Sequence, residues 1–274
     1  MSEWTGLLRL SVEDRNGKTV PKRVYFEGAL KVMRPIYLSA SGQACYYLLN
    51  PGGGYLDGDR YRMEITAEKQ ARLTLTTQSA TKVYKTPRNH VLQEAEFHLK
   101  EGSYLEYLPD PLIAYEQARF TQKTVVRMDR TSTLFYSDIL TPGWSPEDRN
   151  FSYEQLRLIT EIYVDDELAV FDHIKLEPAH QKMDSLGSME GYTHLGSILA
   201  VRENITEKFV NQLYQEVADS EIDCRIGISR LPMGGFSVRV LANQTQVVER
   251  IIERCHHFVC NEWFQTKPSF LRKY

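Results

Sequence analysis

Asp172 sits where a carboxylate needs a reason. In Leu168-Ala169-Val170-Phe171-Asp172-His173-Ile174-Lys175-Leu176 it shares the apolar face of a period-two strand, so the alternation turns it toward a core. A buried carboxylate without a partner costs several kcal/mol, so Asp172 is expected to be ion-paired, protonated, or beside enclosed water or a cation. Asp138, in Leu134-Phe135-Tyr136-Ser137-Asp138-Ile139-Leu140, is a second candidate, although the other face of that strand is nearly as apolar and its direction stays open. For both, the plain alternative is a structural acid satisfied by backbone or arginine.

A second set of chemistry-bearing side chains is Cys255, His256, His257 and Cys260, since thiols and imidazoles are the usual transition-metal ligands. His256 and Cys260 are four apart, a spacing that puts both on one face of a helix and offers two coordination positions. Cys255 belongs to an apolar stripe, and no second pair of ligands lies nearby in sequence, whereas a closed structural site wants four. Core and surface roles are the competing reading for these residues.

Other chemistries are missing their parts. Gly52-Gly53-Gly54 is followed by Tyr55-Leu56-Asp57 rather than the Lys-Ser/Thr of a phosphate loop, and Asp57 and Asp59 would repel a triphosphate, so the stretch reads as a tight turn needing positive φ. No Gly-x-Ser-x-Gly elbow occurs, and Ser79 with Lys82 three positions later is a pair that polar strand ends often supply. One enzyme reading stays open as the alternative: a β-rich carboxylate-dependent hydrolase with Asp138 and Asp172 as acid and base.

The elements that must hold these residues are mostly strands. From Leu7 to about Leu176 short alternating runs are broken at Asn16-Gly17, Pro51-Gly52, Asp57-Gly58, Glu101-Gly102 and Pro142-Gly143, which predicts stacked antiparallel strands. After Pro178 the pattern shifts to helical spacing. Asn204 and Glu207 form a capping-box pattern, and Phe209, Val210, Leu213, Tyr214 and Val217 carry a helix to about Asp219. Cys224-Ile226-Ile228 and Phe236-Val238-Val240 flank a Pro232-Met233-Gly234-Gly235 turn, and Val247 to Val259 repeats at helical intervals to end near Trp263 or Phe264. The expectation is a mainly β fold: a stacked β-strand body over 1–178, and a small helix-hairpin-helix α+β portion over 179–274 that packs on it or continues it.

Composition fits a globular chain of 274 residues, 42% hydrophobic and 25% charged. A net charge of −3, from 33 basic and 36 acidic residues, argues against nucleic-acid or anionic-membrane partners. No apolar run reaches membrane-spanning length and the opening residues lack a signal-peptide pattern, so a soluble cytoplasmic protein is expected, its four cysteines reduced.

Four stretches, taken in order, resemble one family. Gly6-Leu7-Leu8-Arg9-Leu10 resembles its opening strand, and Asn50-Pro51-Gly52-Gly53-Gly54-Tyr55-Leu56-Asp57-Gly58-Asp59 its glycine-rich turn. Thr76-Thr77-Gln78-Ser79-Ala80-Thr81-Lys82-Val83-Tyr84 and Leu105-Glu106-Tyr107-Leu108-Pro109-Asp110-Pro111 resemble two further segments. The family is that of the urease accessory protein UreD, called UreH in some organisms. The chain departs from it at Pro142-Gly143-Trp144, where members show Gly-Arg, and at Asp172, where many have glutamate.

The resemblance implies a non-catalytic scaffold that binds apo-urease and, with the helical UreF and the GTPase UreG reached through UreF, helps deliver nickel to the urease active site. It implies a roughly helical, β-rich stack with a few helices and an internal polar path, with no tightly bound cofactor and nickel only in transit. Asp172, Asp138 and Asp59 are the candidate carboxylates for such a path. Nickel(II) accepts oxygen and imidazole ligands, and a conduit needs weak successive sites rather than a closed cage.

Overall fold

Alternation tells which residues of a strand are buried and is silent on the direction of its neighbours. The computed structural model describes residues 3–218, 223–268 and 271. The chain opens on β1 (Gly6–Arg15), β2 (Lys18–Gly28), β3 (Lys31–Val32) and β4 (Ala44–Leu49). It continues through β5 (Arg60–Ala67), β6 (Arg72–Thr77), β7 (Thr81–Val83), β8 (Val91–Leu99), β9 (Tyr104–Leu108) and β10 (Leu112–Ala114). Then come β11 (Arg119–Met128), β12 (Thr133–Leu140), β13 (Gln155–Val164), β14 (Glu167–Leu176) and β15 (His194–Val201). The last elements are α1 (Glu207–Val217), β16 (Cys224–Arg230), β17 (Phe236–Ala242) and α2 (Thr245–Phe264).

These strands form two sheets, one ordered β14-β13-β11-β8-β5-β1-β2 and the other β16-β17-β15-β12-β9-β6-β4-β3, with β7 and β10 beside the second. From β5 to β13 the chain passes repeatedly between sheets, so each strand lies against the one from the preceding coil. Arg60 is beside Leu92 and Leu92 beside Thr121, a rise of roughly 30 residues per coil, as in solenoids. Among the described residues the fold is therefore a mainly β, solenoid-like stack with two helices, one of them C-terminal.

The expected antiparallel stacking is corrected: β1-β5-β8-β11-β13 and β4-β6-β9-β12 are parallel, and antiparallel pairs occur toward the ends, as at β1-β2, β13-β14 and β12-β15-β17. Crossing to the opposite sheet before returning reverses nothing, so strands one coil apart run the same way.

The interior between the sheets is packed with residues such as Leu10, Ile65, Phe97, Phe120, Tyr136 and Leu156. A second core lies on the outer face of the second sheet, where Phe135, Ile198 and Val238 meet Val248, Ile251, Cys255 and Val259 of α2. Covered on both faces, β15 is buried along its whole length. The hydrogen-bonded ladder passes from β12 to β15 to the β16-β17 hairpin, so the second sheet runs across residue 178.

Two helix details differ from expectation. Thr206, not Asn204, caps α1 by accepting from the Phe209 N–H at 3.2 Å; Asn204 instead has φ 62°. The helix ends at Val217, and Asp219 lies outside the described residues. Among the described residues no helix is long and apolar enough to cross a membrane.

Candidate functional site

Alternation along β12 sends Phe135 and Ile139 outward to the α2 core and Leu134, Tyr136 and Leu140 inward, which places Asp138 between the two sheets. This settles the direction left open by the sequence. In the ladder Asp138 lies beside Ser197, and Ser197 beside Arg239, so one inward row crosses β12, β15 and β17. Facing it on the other sheet, Gln93 and Gln122 are neighbours one coil apart, and Asp172 lies beside Thr160. Asp172 shares its face with Val170 and Leu176, as its alternation predicts.

These side chains form a polar lane that starts in the apolar core and reaches the surface at Asp172 and Arg239, whose side chains are 23% and 35% exposed rather than buried. The Tyr55 hydroxyl donates to Gln93 Oε1 at 2.7 Å, and the Gln93 amide donates to Gln122 Oε1 at 3.3 Å. The Gln122 amide then donates to the Tyr136 hydroxyl at 3.0 Å and toward both Asp138 oxygens at 3.3 Å. Arg239 pairs with Asp172 across the gap between sheets. Burial pushes the Asp138 carboxyl up to about 6; hydrogen bonds from Tyr136 and Gln122 pull the other way, Asp172 adds to the rise and Arg239 offsets it. Burial also keeps the Tyr107 and Tyr136 phenols neutral, with Asp138 reinforcing the effect.

Two cavities touch the lane. One, with about 80 Å³ of space for water-sized molecules, runs from Gly53 and Lys82 to Gln93, Gln122 and Asp138. The other, about 590 Å³ and wider, is lined by Arg239, His173, Lys175 and the 185–189 segment.

On the opposite face of the same sheet lies a second polar group. β9 points Glu106 toward α2, where the carboxylate is 3% exposed. It accepts from Thr74 at 2.7 Å, from Tyr104 at 2.7 Å and from the His256 imidazole at 2.9 Å, with the Cys260 thiol 3.9 Å away. Burial opposes charge on His256, but the adjacent carboxylate outweighs it and pushes the imidazole up to about 10. The same pairing, helped by the Thr74 and Tyr104 hydroxyls, holds Glu106 below the ordinary carboxylate range despite its burial. The Cys255 thiol, one residue earlier, is pushed up to about 12 by apolar burial and belongs to the core.

The family model for the UreD urease accessory protein matches residues 5–273. The chain belongs to the UreD family. A urease accessory protein UreD from Lachnoclostridium phytofermentans is 48% identical over 274 residues, covering 100% of both chains. Its counterpart from Staphylococcus saprophyticus is 48% identical over 99% of this chain and 98% of its own, and one from Staphylococcus aureus is 44% identical over 99% of each.

In this UreD-family chain three of the four quoted motifs converge on the first cavity. Thr77, Gln78, Ala80, Thr81, Lys82 and Pro109 line it beside Gly53. Thr76 donates to the Leu108 carbonyl at 2.6 Å and Thr77 to Asp110 at 2.9 Å, tying β6 to the end of β9. Gly53 and Gly58 have φ of 74° and 79°, the left-handed geometry the turn pattern predicts. At Gly54 a Cβ would come within 2.6 Å of the Tyr84 ring, so the turn closes directly on Tyr84. Asp59 is elsewhere: it accepts from the Leu56 N–H at 2.7 Å, the Thr5 hydroxyl at 3.1 Å and the Tyr61 hydroxyl at 3.2 Å, and does not line either cavity.

Sequence reasoning missed Gln93, Gln122, Ser197 and Arg239. Inward glutamines at matching positions of β8 and β11 carry a signal, since Val91, Gln93, Ala95 and Phe97 alternate inward. Arg239 carries none, because Phe236, Val238 and Val240 make its own face look like the solvent side. Glu106 was visible only as a motif letter; nothing in sequence joins it to His256, 150 residues away.

Proposed function

We propose that this chain is a non-catalytic, cytoplasmic scaffold for urease maturation: it binds apo-urease and, with UreF and with UreG held through UreF, assists nickel insertion. Family membership supports the role in maturation. The observation that carries the nickel reading is the polar lane, touched by two cavities, in which Asp138 and the Asp172–Arg239 pair face each other. Nickel is cargo here. An ion entering beside Lys82 and Gln78 would meet neutral amide and phenol oxygens first, then the Asp138 carboxylate, which accepts from the Gln122 amide. At Asp172 the ion would displace Arg239 from Oδ1, so the arginine acts as a removable counter-charge, and each stop along the lane binds weakly enough to release.

The hydrolase reading loses support on size. About 80 Å³ beside Asp138 is well below the roughly 300–1,000 Å³ of small-molecule pockets, and the second cavity, of about 590 Å³, is lined by Arg239, the partner of Asp172, and not by either aspartate.

The test is Asp172→Ala beside Asp172→Glu, with the melting temperature, pull-down of apo-urease and UreF, and nickel per urease active site measured together. The expected result is intact complexes, low nickel with alanine and recovery with glutamate. Full nickel loading by the alanine variant at wild-type complex levels overturns the lane as a conduit.

A further inference from the structure

The cluster between β9 and α2 has a composition the maturation reading does not use. Glu106 offers an oxygen, His256 a nitrogen and Cys260 a sulfur, and these three atoms lie within 4.8 Å of one another with every residue buried. His256 and Cys260 are one helical turn apart on the inner face of α2, and the missing third donor comes from a strand distant in sequence. The lack of nearby ligands in the sequence is thus resolved by the fold.

The donors are spaced near what a metal site needs, with a third donor beside the Glu106–His256 pair. Zinc bonds of about 2.0–2.3 Å to O, N and S set tetrahedral donors about 3.3–3.7 Å apart. Here the Glu106–His256 and Glu106–Cys260 separations are 2.9 and 3.9 Å, bracketing that range. Shifts of a few tenths of an ångström would bring these two separations into it, and the His256–Cys260 separation lies within 4.8 Å. The carboxylate is also held in place: Thr74 donates to Glu106 Oε2 and Tyr104 to Oε1, and Gln43 donates to the Thr74 hydroxyl at 2.7 Å. Supporting shells of this kind fix the ligand orientations of metal sites.

We propose that Glu106 Oε1, His256 Nε2 and Cys260 Sγ bind one divalent transition ion, zinc by preference, which fastens α2 to the second sheet. The ion takes the place of the thiol proton and the Nε2 proton, leaving thiolate and neutral imidazole as ligands. Thiolate and imidazole together suit zinc, and three protein ligands leave a fourth position for water. The site lies on the opposite face of the sheet from Asp138, and the proposal stands independently of nickel delivery.

The full chain, freed of metal with a chelator, is titrated with Co²⁺ and then Zn²⁺. One equivalent of cobalt should give a thiolate-to-cobalt charge-transfer band that zinc abolishes, and the melting temperature should rise with zinc. Cys260→Ser should lose the band, and His256→Gln, which keeps a donor toward Glu106, should weaken zinc binding by at least about tenfold. Cys45→Ser should bind as the wild type does. No thiolate band in the folded wild-type chain overturns the site, as does a band that survives in Cys260→Ser. The wild-type titration decides even where a variant is insoluble.

Discussion

Asp138 and Glu106 sit on adjacent strands of one sheet, the first part-buried and the second buried, yet their surroundings push them in opposite directions. Asp138 faces the inter-sheet lane, where its Gln122 contacts are long at 3.3 Å, and its carboxyl rises to about 6. Glu106 faces α2, where three partners lie at 2.7–2.9 Å, and its carboxyl falls. Burial penalises both charges; the difference is made by donors close enough to repay it. The inner face therefore carries a negative charge that invites a proton or a cation, while the outer face has already neutralised its own. One face suits traffic and the other suits fastening.

Removing Glu106 is the strongest way to break this contrast. In metal-free protein, Glu106→Ala leaves His256 buried beside no anion, and losing one partner of a buried pair costs about 3–5 kcal/mol. Denaturant melts in the presence of chelator should show a midpoint shift of that order. A loss under about 1 kcal/mol would mean the pair contributes little and that α2 is held by its apolar stripe alone.

Asp138→Asn should move stability the other way. The folded carboxyl titrates near 6 and an unfolded aspartate near its ordinary 3.8, so between these values the folded wild type binds more protons. Its stability must then fall as pH rises through that window. Asparagine removes the charge, so the variant should be more stable above pH 6, on the order of 2–3 kcal/mol from the size of the shift. The gain should shrink on acidification and vanish below about pH 4. Denaturant melts of both proteins across that range check it; a difference independent of pH would show that Asp138 is not penalised by burial.

The contrast also marks what the sequence could and could not tell. Period two identified β14 and β12 as strands and put Asp172 inward, because side-chain alternation is a local property. The hairpin and α2 were legible for the same reason: their apolar spacing and the Gly234-Gly235 turn are contiguous in the chain. Strand direction was not, since it depends on where the chain goes between strands. Nor were the pairings Asp138–Gln122, Asp172–Arg239 and Glu106–His256, each joining residues from different elements. Arg239 is the sharpest case: its neighbours make it look solvent-facing, and only the sheet opposite turns that face into an interior.

The smallest expected effect on stability concerns the two faces of α2. Val248, Ile251, Cys255 and His256 turn inward, whereas Gln246, Arg250 and Glu253 are exposed. Surface substitutions away from caps and buried partners change stability by less than about 0.5 kcal/mol, so Gln246→Ala, Arg250→Glu and Glu253→Lys should leave the melting temperature nearly alone. A helix fixed from beneath presents its outer face in a defined orientation, which is what a helical partner needs for docking into a groove beside it. Under the maturation reading this face is expected to contribute to the UreF contact, so the three variants should capture less UreF while remaining as stable as wild type. Stability is measured alongside capture because the inward residues would lose both together. Undiminished capture by all three would shift the UreF contact away from α2, toward surfaces such as β14, where Leu168 and Phe171 are exposed at 53% and 62%.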